Sequence, residues 1–294
     1  MVDLHVHSNY SDGSFSPREL VEYAITHNIT AFALTDHDTT CGLTVAIRYA
    51  KELSGKVSDK NPEGKSVEVI PGIEFSTEYE CRDIHVVGLF IHYDSAVFQN
   101  QITAFIDSRD TRNEKMCALL REHGISISYE ELKNLFPSAV ITRAHYARFL
   151  CDKGYVNSMS EAFDRYVGDY ASCFVPREKV TPVQAVKLIL SAGGIPVLAH
   201  PILYHMSTTK LKGLVSELRE AGLMAIEGIY STYSSSETRQ VQEIAKEYHL
   251  LISGGSDFHG NNKPELHFGT GYGKLYIHES VLETLKGALT NPQQ

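Results

Sequence analysis

Short apolar runs alternate with amphipathic helical stretches along most of this 294-residue chain. That alternation constrains the fold more than any other feature. Neighbouring parallel strands need a long crossover, usually a helix, so repeated strand–helix units imply a largely parallel sheet. Val2 to Val6, Ala31 to Leu34, Val67 to Ile70 and His85 to Ile91 read as strands. So do Ile195 to Ala199, Met224 to Ile226, Leu250 to Ile252 and, as a last candidate, Lys274 to Ile277. Two helix starts are explicit. Ser16-Pro17-Arg18-Glu19 and Thr181-Pro182-Val183-Gln184 each place a hydroxyl N-cap before Pro, with Glu or Gln closing a capping box. About seven units favour an α/β barrel over an open sheet. The strand signal lapses between residues 97 and 180, where Phe98 to His123, Tyr129 to Phe136, Ala144 to Lys153 and Ser160 to Tyr166 read as helices. The expected organisation is therefore a barrel from residues 1–96 and 181–294, interrupted by a helical insertion over 97–180.

The polar residues fall at the strand ends. His5 and His7 are two apart in an extended run and share a face. Asp36 and His37 follow the second strand, Glu74 the third, and His200 follows Ala199. Glu227 follows Ala225-Ile226, and Asp257 and His259 follow Leu250 to Ile252. In a parallel barrel the C-terminal strand ends form one rim, where chemistry is placed. Six strand ends thus deliver imidazole or carboxylate groups to one place. His85 begins its run, so it reaches that rim only from an antiparallel or bent segment. The chain has 14 His in all. His27, His92, His123, His205, His249, His267 and His278 sit near helix ends or in loops and read as incidental.

Imidazole mixed with carboxylate suits Zn, Fe or Mn, whereas oxygen-only sets suit harder ions. Two or three such ions close together would clamp a phosphoester, polarise its oxygens and deliver a bridging hydroxide. The net charge of −9 disfavours extended electrostatic binding of nucleic acid. It does not disfavour a small anion, because bound metals would set the local field. Five scattered Cys with no Cys-x-x-Cys pair read as free thiols. The N-terminus lacks a signal-peptide pattern, and no run approaches a membrane span, so the expected location is cytoplasmic.

Eight segments, in order, closely resemble the polymerase-and-histidinol-phosphatase (PHP) family of metal-dependent phosphoesterases. They are Asp3-Leu4-His5-Val6-His7-Ser8, Ser11-Asp12-Gly13, Leu34-Thr35-Asp36-His37-Asp38, Pro71-Gly72-Ile73-Glu74, His85-Val86-Val87-Gly88, Arg143-Ala144-His145, Ala199-His200-Pro201 and Ser256-Asp257-Phe258-His259. The arrangement looks most like the stand-alone branch of nucleoside 3′,5′-bisphosphate phosphatases and 5′-exonucleases acting on short RNA. The resemblance implies a distorted (β/α)7 barrel and up to three divalent metals (Mn, Zn, Fe or Mg). It implies that His5, His7, Glu74 and Asp257 hold the first ion. Glu74 then bridges to a second, completed by His85 and His145, while Asp12, His37 and His259 hold a third. One departure is Ala144, where the family pattern often has Pro.

The expected activity is hydrolysis of a phosphomonoester, of a nucleotide or nucleoside bisphosphate. The alternatives are 5′-exonuclease action on short RNA or a histidinol-phosphate-type phosphatase. A non-catalytic scaffold should show missing ligands, and all nine are present. Guanidinium groups grip phosphate bidentately, which singles out Arg143, Arg177 and Arg18. His200 is a candidate for contacting phosphate or protonating the leaving oxygen, and Asp257 for catalysis as well as metal binding. Asp36 reads as a supporting group rather than a ligand. Glu227 is left open, and Tyr230 and Tyr233 could stack on a base.

Overall fold

The computed structural model describes residues 1–175 and 181–290, with backbone alone for residues 104–108. The first half runs β1 (Val2–Val6), α1 (Pro17–Thr26), β2 (Ala31–Leu34), α2 (Leu43–Leu53), β3 (Glu68–Tyr79) and β4 (Arg82–Leu89). Four helices follow: α3 (Ala96–Glu122), α4 (Tyr129–Leu135), α5 (Arg143–Asp152) and α6 (Met159–Ala162). The chain then continues through α7 (Pro182–Ser191), β5 (Ile195–Leu198), α8 (Thr208–Ala221), β6 (Ala225–Tyr230), α9 (Ser235–Glu247), β7 (Leu251–Gly255) and α10 (Glu279–Thr290). Both expected capping boxes form, at Ser16 with Glu19 and at Thr181 with Gln184.

The seven strands make one sheet in chain order, β1 to β7. Its edges meet. Asp257 N–H donates to His5 O at 3.0 Å and His7 N–H to Phe258 O at 3.0 Å. The sheet is thus a nearly closed, distorted (β/α)7 barrel. All neighbours are parallel except β4, which is antiparallel to both β3 and β5. This reversal is how His85 reaches the rim. β3 extends well beyond the expected Val67 to Ile70 because it continues as a hairpin arm against β4, from Gly72↔Leu89 to Tyr79↔Arg82. The two-residue loop between the arms, Glu80-Cys81, has φ 49° and 59°. Those are type I′ values, whose twist matches paired strands.

Alternation along the strands divides the core. Ala31 and Ala33 join an interior cluster with Val2, Leu4, Val87, Leu89, Ile195 and Val197, closed at one end by Leu282 and Leu285 of α10. Phe32, Leu34, Val86 and Leu198 face the surrounding helices instead. Branched aliphatics interleaved with alanines fill a narrow barrel without leaving a channel. The helical segment after β4 has its own apolar cluster, including Met116, Leu120, Tyr146, Phe149 and Leu150. Its expected helix over Ser160 to Tyr166 is α6 followed by a π-helical turn, Phe163–Val167.

One expected strand is absent. Lys274 to Ile277 forms none, although Ile277 O accepts Val2 N–H at 3.0 Å. Its apolar residues, Leu275 and Ile277, belong to the interior plug with α10, so burial and not pairing explains the pattern. No helix among the described residues is long and apolar enough to cross a membrane.

Gly255, at the end of β7, ties fold to site. A Cβ there would lie 2.2 Å from His5 Cβ. Gly255→Ala should therefore destabilise the fold by about 1–3 kcal/mol and lower metal content with it. Gly213→Ala, in open space on α8, should instead be neutral or stabilise by about 0.5–1 kcal/mol. Chemical denaturation and elemental analysis of the two variants check this; equal stabilities would contradict it.

Candidate metal centre

At the barrel rim the buried carboxylate of Glu74 is the meeting point. His5 Nε2, His7 Nε2 and His37 Nδ1 stand 3.2, 3.1 and 3.2 Å from its Oε2. His85 Nδ1 and His200 Nε2 stand 2.9 and 3.2 Å from its Oε1. Asp257 Oδ1 approaches His5 Nε2 at 3.5 Å and His7 Nε2 at 3.3 Å. Asp12 stands on the other side, 3.3 Å from His259 Nε2 and 3.7 Å from His37 Nε2.

These atoms form three overlapping sets, each with its ligand atoms within 4.8 Å of one another. They are His5, His7, Glu74 and Asp257; then His37, Glu74 and His85; then His7, Asp12, His37 and His259. Three buried members, His5 Nε2, His7 Nε2 and Asp12 Oδ1, have no hydrogen-bond partner despite these close approaches. Buried polar atoms are rarely left so. Nitrogen and oxygen converging without hydrogen-bond geometry is what a cation's ligands do, so the residues present fit divalent metals.

The opposite ring nitrogens are already engaged, which fixes the tautomers. His5 Nδ1 lies 3.1 Å from Glu227 Oε1, and His259 Nδ1 donates to Asp257 O at 2.7 Å. Each leaves Nε2 as the free lone pair, the usual carboxylate or carbonyl support of a metal-ligating imidazole. Asp36 accepts from Ser8 N–H (2.7 Å), Ser8 Oγ (2.6 Å) and Ser11 Oγ (2.7 Å), pinning the loop that carries Asp12. Lys263 Nζ and Tyr230 Oη both donate to Asp257 Oδ2 at 2.8 Å.

The backbone is strained at three of these positions. Asp38, His200 and Asp257 have φ of 53°, 26° and 58°. Left-handed backbone at non-glycine residues persists only where surroundings enforce it. Here the enforcing bonds are Asp38 N–H to Glu74 O (2.9 Å), His200 N–H to Glu227 Oε2 (2.7 Å) and Asp257 N–H to His5 O (3.0 Å).

A cavity of about 330 Å³ opens over the rim. Arg109, Arg112, Arg143 and Lys263 line it, with apolar Met159, Phe163 and Leu203. Arg143 bonds Asp83 (2.8 Å) and Asp169 (2.7 Å). Arg109 pairs with Asp38. Arg109, Arg112, Asp83 and Lys263 were not singled out in the sequence. The available signal was Arg109 and Arg112 three apart on α3, one helical face.

Some expectations change. His145 is not among the members of these three sets. Its Nδ1 accepts Thr142 N–H at 2.9 Å, and Thr142 Oγ1 donates to Asp12 Oδ2 at 3.0 Å, so it flanks the Asp12 side. His37 also lies within ligand distance of Glu74 and His85. Arg18 is exposed, its guanidinium 5.1 Å over the Tyr49 ring and outside the cavity. Tyr230 is a buried support of Asp257, and Tyr233 Oη accepts Ile202 N–H at 3.4 Å. Arg177 lies outside the described residues.

Buried imidazoles and carboxylates facing a cationic cavity at a barrel rim define a metal-dependent phosphoester hydrolase. A model of the PHP domain matches residues 3–181, and the chain belongs to the PHP family. It is 34% identical over 257 residues to the 5′-3′ exoribonuclease Rnm of Escherichia coli K12, covering 87% of this chain and 84% of the relative. It is 36% identical over 261 residues to a 5′-3′ exoribonuclease of Haemophilus influenzae, covering 87% and 89%. A 3′,5′-nucleoside bisphosphate phosphatase of Chromobacterium violaceum is 30% identical over 259 residues, covering 88% and 87%. A solved structure from the same species, described as an amidohydrolase with bound sulfate and no metal, matches with TM-score 0.82 at 27% identity. That match covers 97% of this chain and 96% of the other.

Charge coupling sets the ion-free state. Burial alone would lower His7 and His85, but the adjacent Asp257 and Glu74 carboxylates raise His7 to about 9. Glu74 and Asp83 raise His85 to about 10. Burial likewise lowers His37 to about 3 and His145 to about 4. Because both folded values exceed 6.5, the stabilisation from His7 and His85 is complete below pH 6.5 and is lost as pH rises through about 9 to 10. The ion-free protein should melt at lower temperature as pH rises across that window. Metal uptake at pH 7 should release protons and tighten with pH. Calorimetric titration in buffers of different ionisation heat reads the proton count; a heat independent of buffer would contradict the assignment.

Proposed function

We propose that this chain hydrolyses the phosphomonoester of a nucleotide, with a nucleoside 3′,5′-bisphosphate as the leading substrate. The observation that carries the reading is the overlap of three imidazole–carboxylate sets, two of them sharing Glu74, beneath a cavity walled by arginines. The name of the Chromobacterium violaceum relative supports the substrate class. Two or three divalent ions fit the ligand sets, Mn, Zn or Fe ahead of Mg because imidazole is abundant. His5, His7, Glu74 and Asp257 would hold the first, and His37, Glu74 and His85 the second. Asp12, His37 and His259, with His7, would hold the third, with His145 at its edge. Residues 97–180 supply Arg109, Arg112 and Arg143, one wall of the site.

Bound ions supply charge neutralisation on the phosphoryl oxygens and a lowered pKa for attacking water. The rest falls to the side chains. Arg143 presents its fork from a cradle made by Asp83 and Asp169, so its orientation is set before substrate arrives. Arg109, Arg112 and Lys263 add cationic donors for the oxygens that gain charge. Arg177 remains a candidate clamp from sequence position alone. His200, with Nε2 on Glu74 and a buried Nδ1 lacking a partner, is the candidate to protonate the leaving oxygen. Asp257 is held by Tyr230 and Lys263 at the attacking side. Met159, Phe163 and Leu203 give the cavity an apolar wall.

A second reading, removal of 5′-nucleotides from short RNA, is favoured by the Escherichia coli and Haemophilus influenzae relatives. Both readings use one phosphoryl site.

Phosphate release from nucleoside bisphosphates and monophosphates by metal-loaded protein is the direct test; no release from any of them would end the proposal. His7→Ala, removing a member of two sets, should lower activity and bound metal by about 100-fold or more. Arg143→Lys keeps charge but loses the fork, so KM should rise about tenfold with kcat changed less.

A further inference from the structure

Arg109 is one of the largest fully buried side chains, and its partner Asp38 is buried with it. It comes from α3, in the helical insertion, and reaches two segments of the rim at once. Its Nε donates to Asp38 Oδ2 at 2.8 Å, and its Nη2 donates to the same oxygen. Its Nη1 donates to the Ile141 carbonyl at 3.3 Å. Asn113, one turn further along α3, donates to that carbonyl too, at 3.2 Å. Three nitrogens of Arg109 are therefore engaged within the protein, although the side chain lines the cavity. Only a planar fork with several donors can hold two such acceptors at a fixed angle; a single ammonium group cannot.

Each of the two segments leads to a candidate ligand. Asp38 follows His37 directly. Its Oδ1 accepts Ser76 N–H at 3.2 Å, and its own N–H donates to Glu74 O at 2.9 Å. Ser76 Oγ in turn lies 3.2 Å from His37 Nδ1. The left-handed backbone of Asp38, φ 53°, needs such restraint. Arg109 thus fixes the turn that aims His37. On the other side, Ile141 precedes Thr142. Thr142 Oγ1 donates to Asp12 Oδ2 at 3.0 Å. Through Ile141, α3 therefore sets the group that orients the Asp12 carboxylate.

His37 and Asp12 meet in one ligand set, with His7 and His259. The set of His5, His7, Glu74 and Asp257 contains neither of them. We propose that Arg109 is the positioning residue for the ion of the His7, Asp12, His37 and His259 set, so that packing of the insertion on the barrel decides whether that ion is held. This rests on the reading of the rim as a metal centre. The barrel strands alone aim His5, His7, Glu74 and Asp257, so that set stands without Arg109. Groups that orient metal ligands through hydrogen bonds typically contribute about 10–100-fold in metal affinity. Here one buried guanidinium orients two ligands of the same set from opposite sides.

Metal binding measured without substrate separates positioning from phosphate contact. Mn is titrated against a chelator into wild type, Arg109→Lys, Thr142→Val and, as the reference, His259→Gln, which removes a ligand of this set alone. Arg109→Lys keeps a charge beside Asp38 but cannot also reach Ile141 O. Thr142→Val keeps the Thr142 N–H to His145 and removes the bond to Asp12. It leaves the buried ion pair intact, so it decides the matter if Arg109→Lys does not fold. Both variants should weaken the ion that His259→Gln removes by about tenfold to 100-fold, with the tightest ion within about twofold of wild type. Combined with His259→Gln, neither should weaken metal binding further. Wild-type affinities throughout, or an equal loss at every ion, would overturn the positioning role. So would a His259→Gln protein that binds Mn as wild type does, since the set would then hold no ion. A wild type that binds no metal would instead remove the metal-centre reading, and this inference with it.

Discussion

The structure depends on a single buried carboxylate. Glu74 is 1% exposed and has imidazole nitrogens of five histidines within 3.2 Å. A bare carboxylate there would be prohibitively desolvated. Histidine charge holds it well below the ordinary carboxylate range despite burial. Five elements of the barrel converge on this group: β1, the turns after β2 and β5, β3 itself, and β4. Misplacing any of them would leave a buried charge uncompensated, so the same electrostatic demand that serves chemistry also enforces closure of the rim.

Around Glu74 the protein keeps groups in unfavourable states and restrains them elsewhere. Three non-glycine residues have left-handed backbone, each held by a hydrogen bond from its own N–H into a neighbouring strand or acid. Asp3, buried and pushed up to about 6 by desolvation, accepts the N–H groups of Ser256 and Gly269 beneath the rim. Such strain and polarity are poor for stability and good for pre-organisation. The helical segment adds the complementary sign. Its arginines face the acids, and Asp38, Asp83 and Asp169 orient the guanidinium groups of Arg109 and Arg143 in advance.

The strand ends were legible because alternation and position are local. His5-x-His7, His37, Glu74, Asp257 and His259 all follow apolar runs, and the barrel rim gathers them. His85 was legible only as an exception, and its reversal needs the Glu80-Cys81 turn, which lacks the Asn-Gly or Asp-Gly signal of such hairpins. Lys274 to Ile277 misled because a buried apolar plug has the same composition as a strand. Arg109 and Arg112 escaped notice because a basic pair on a long helix is ordinarily a solvated face; only packing of α3 over the rim buries them.

The order of local patterns in the chain was enough to determine an α/β architecture with a helical interruption and strand ends rich in metal-binding side chains, and to favour a barrel over an open sheet. Those properties follow from periodicity, caps and residue chemistry within short windows. Which imidazole shares which carboxylate was decided by the tertiary structure alone. His37 joins Glu74 and His85 within ligand distance, and Glu227 supports His5 from 222 residues away in sequence. Ligand grouping depends on distances of a few ångströms between strand ends, set by barrel closure and by the register of β3 against β4. No spacing along the chain encodes those distances.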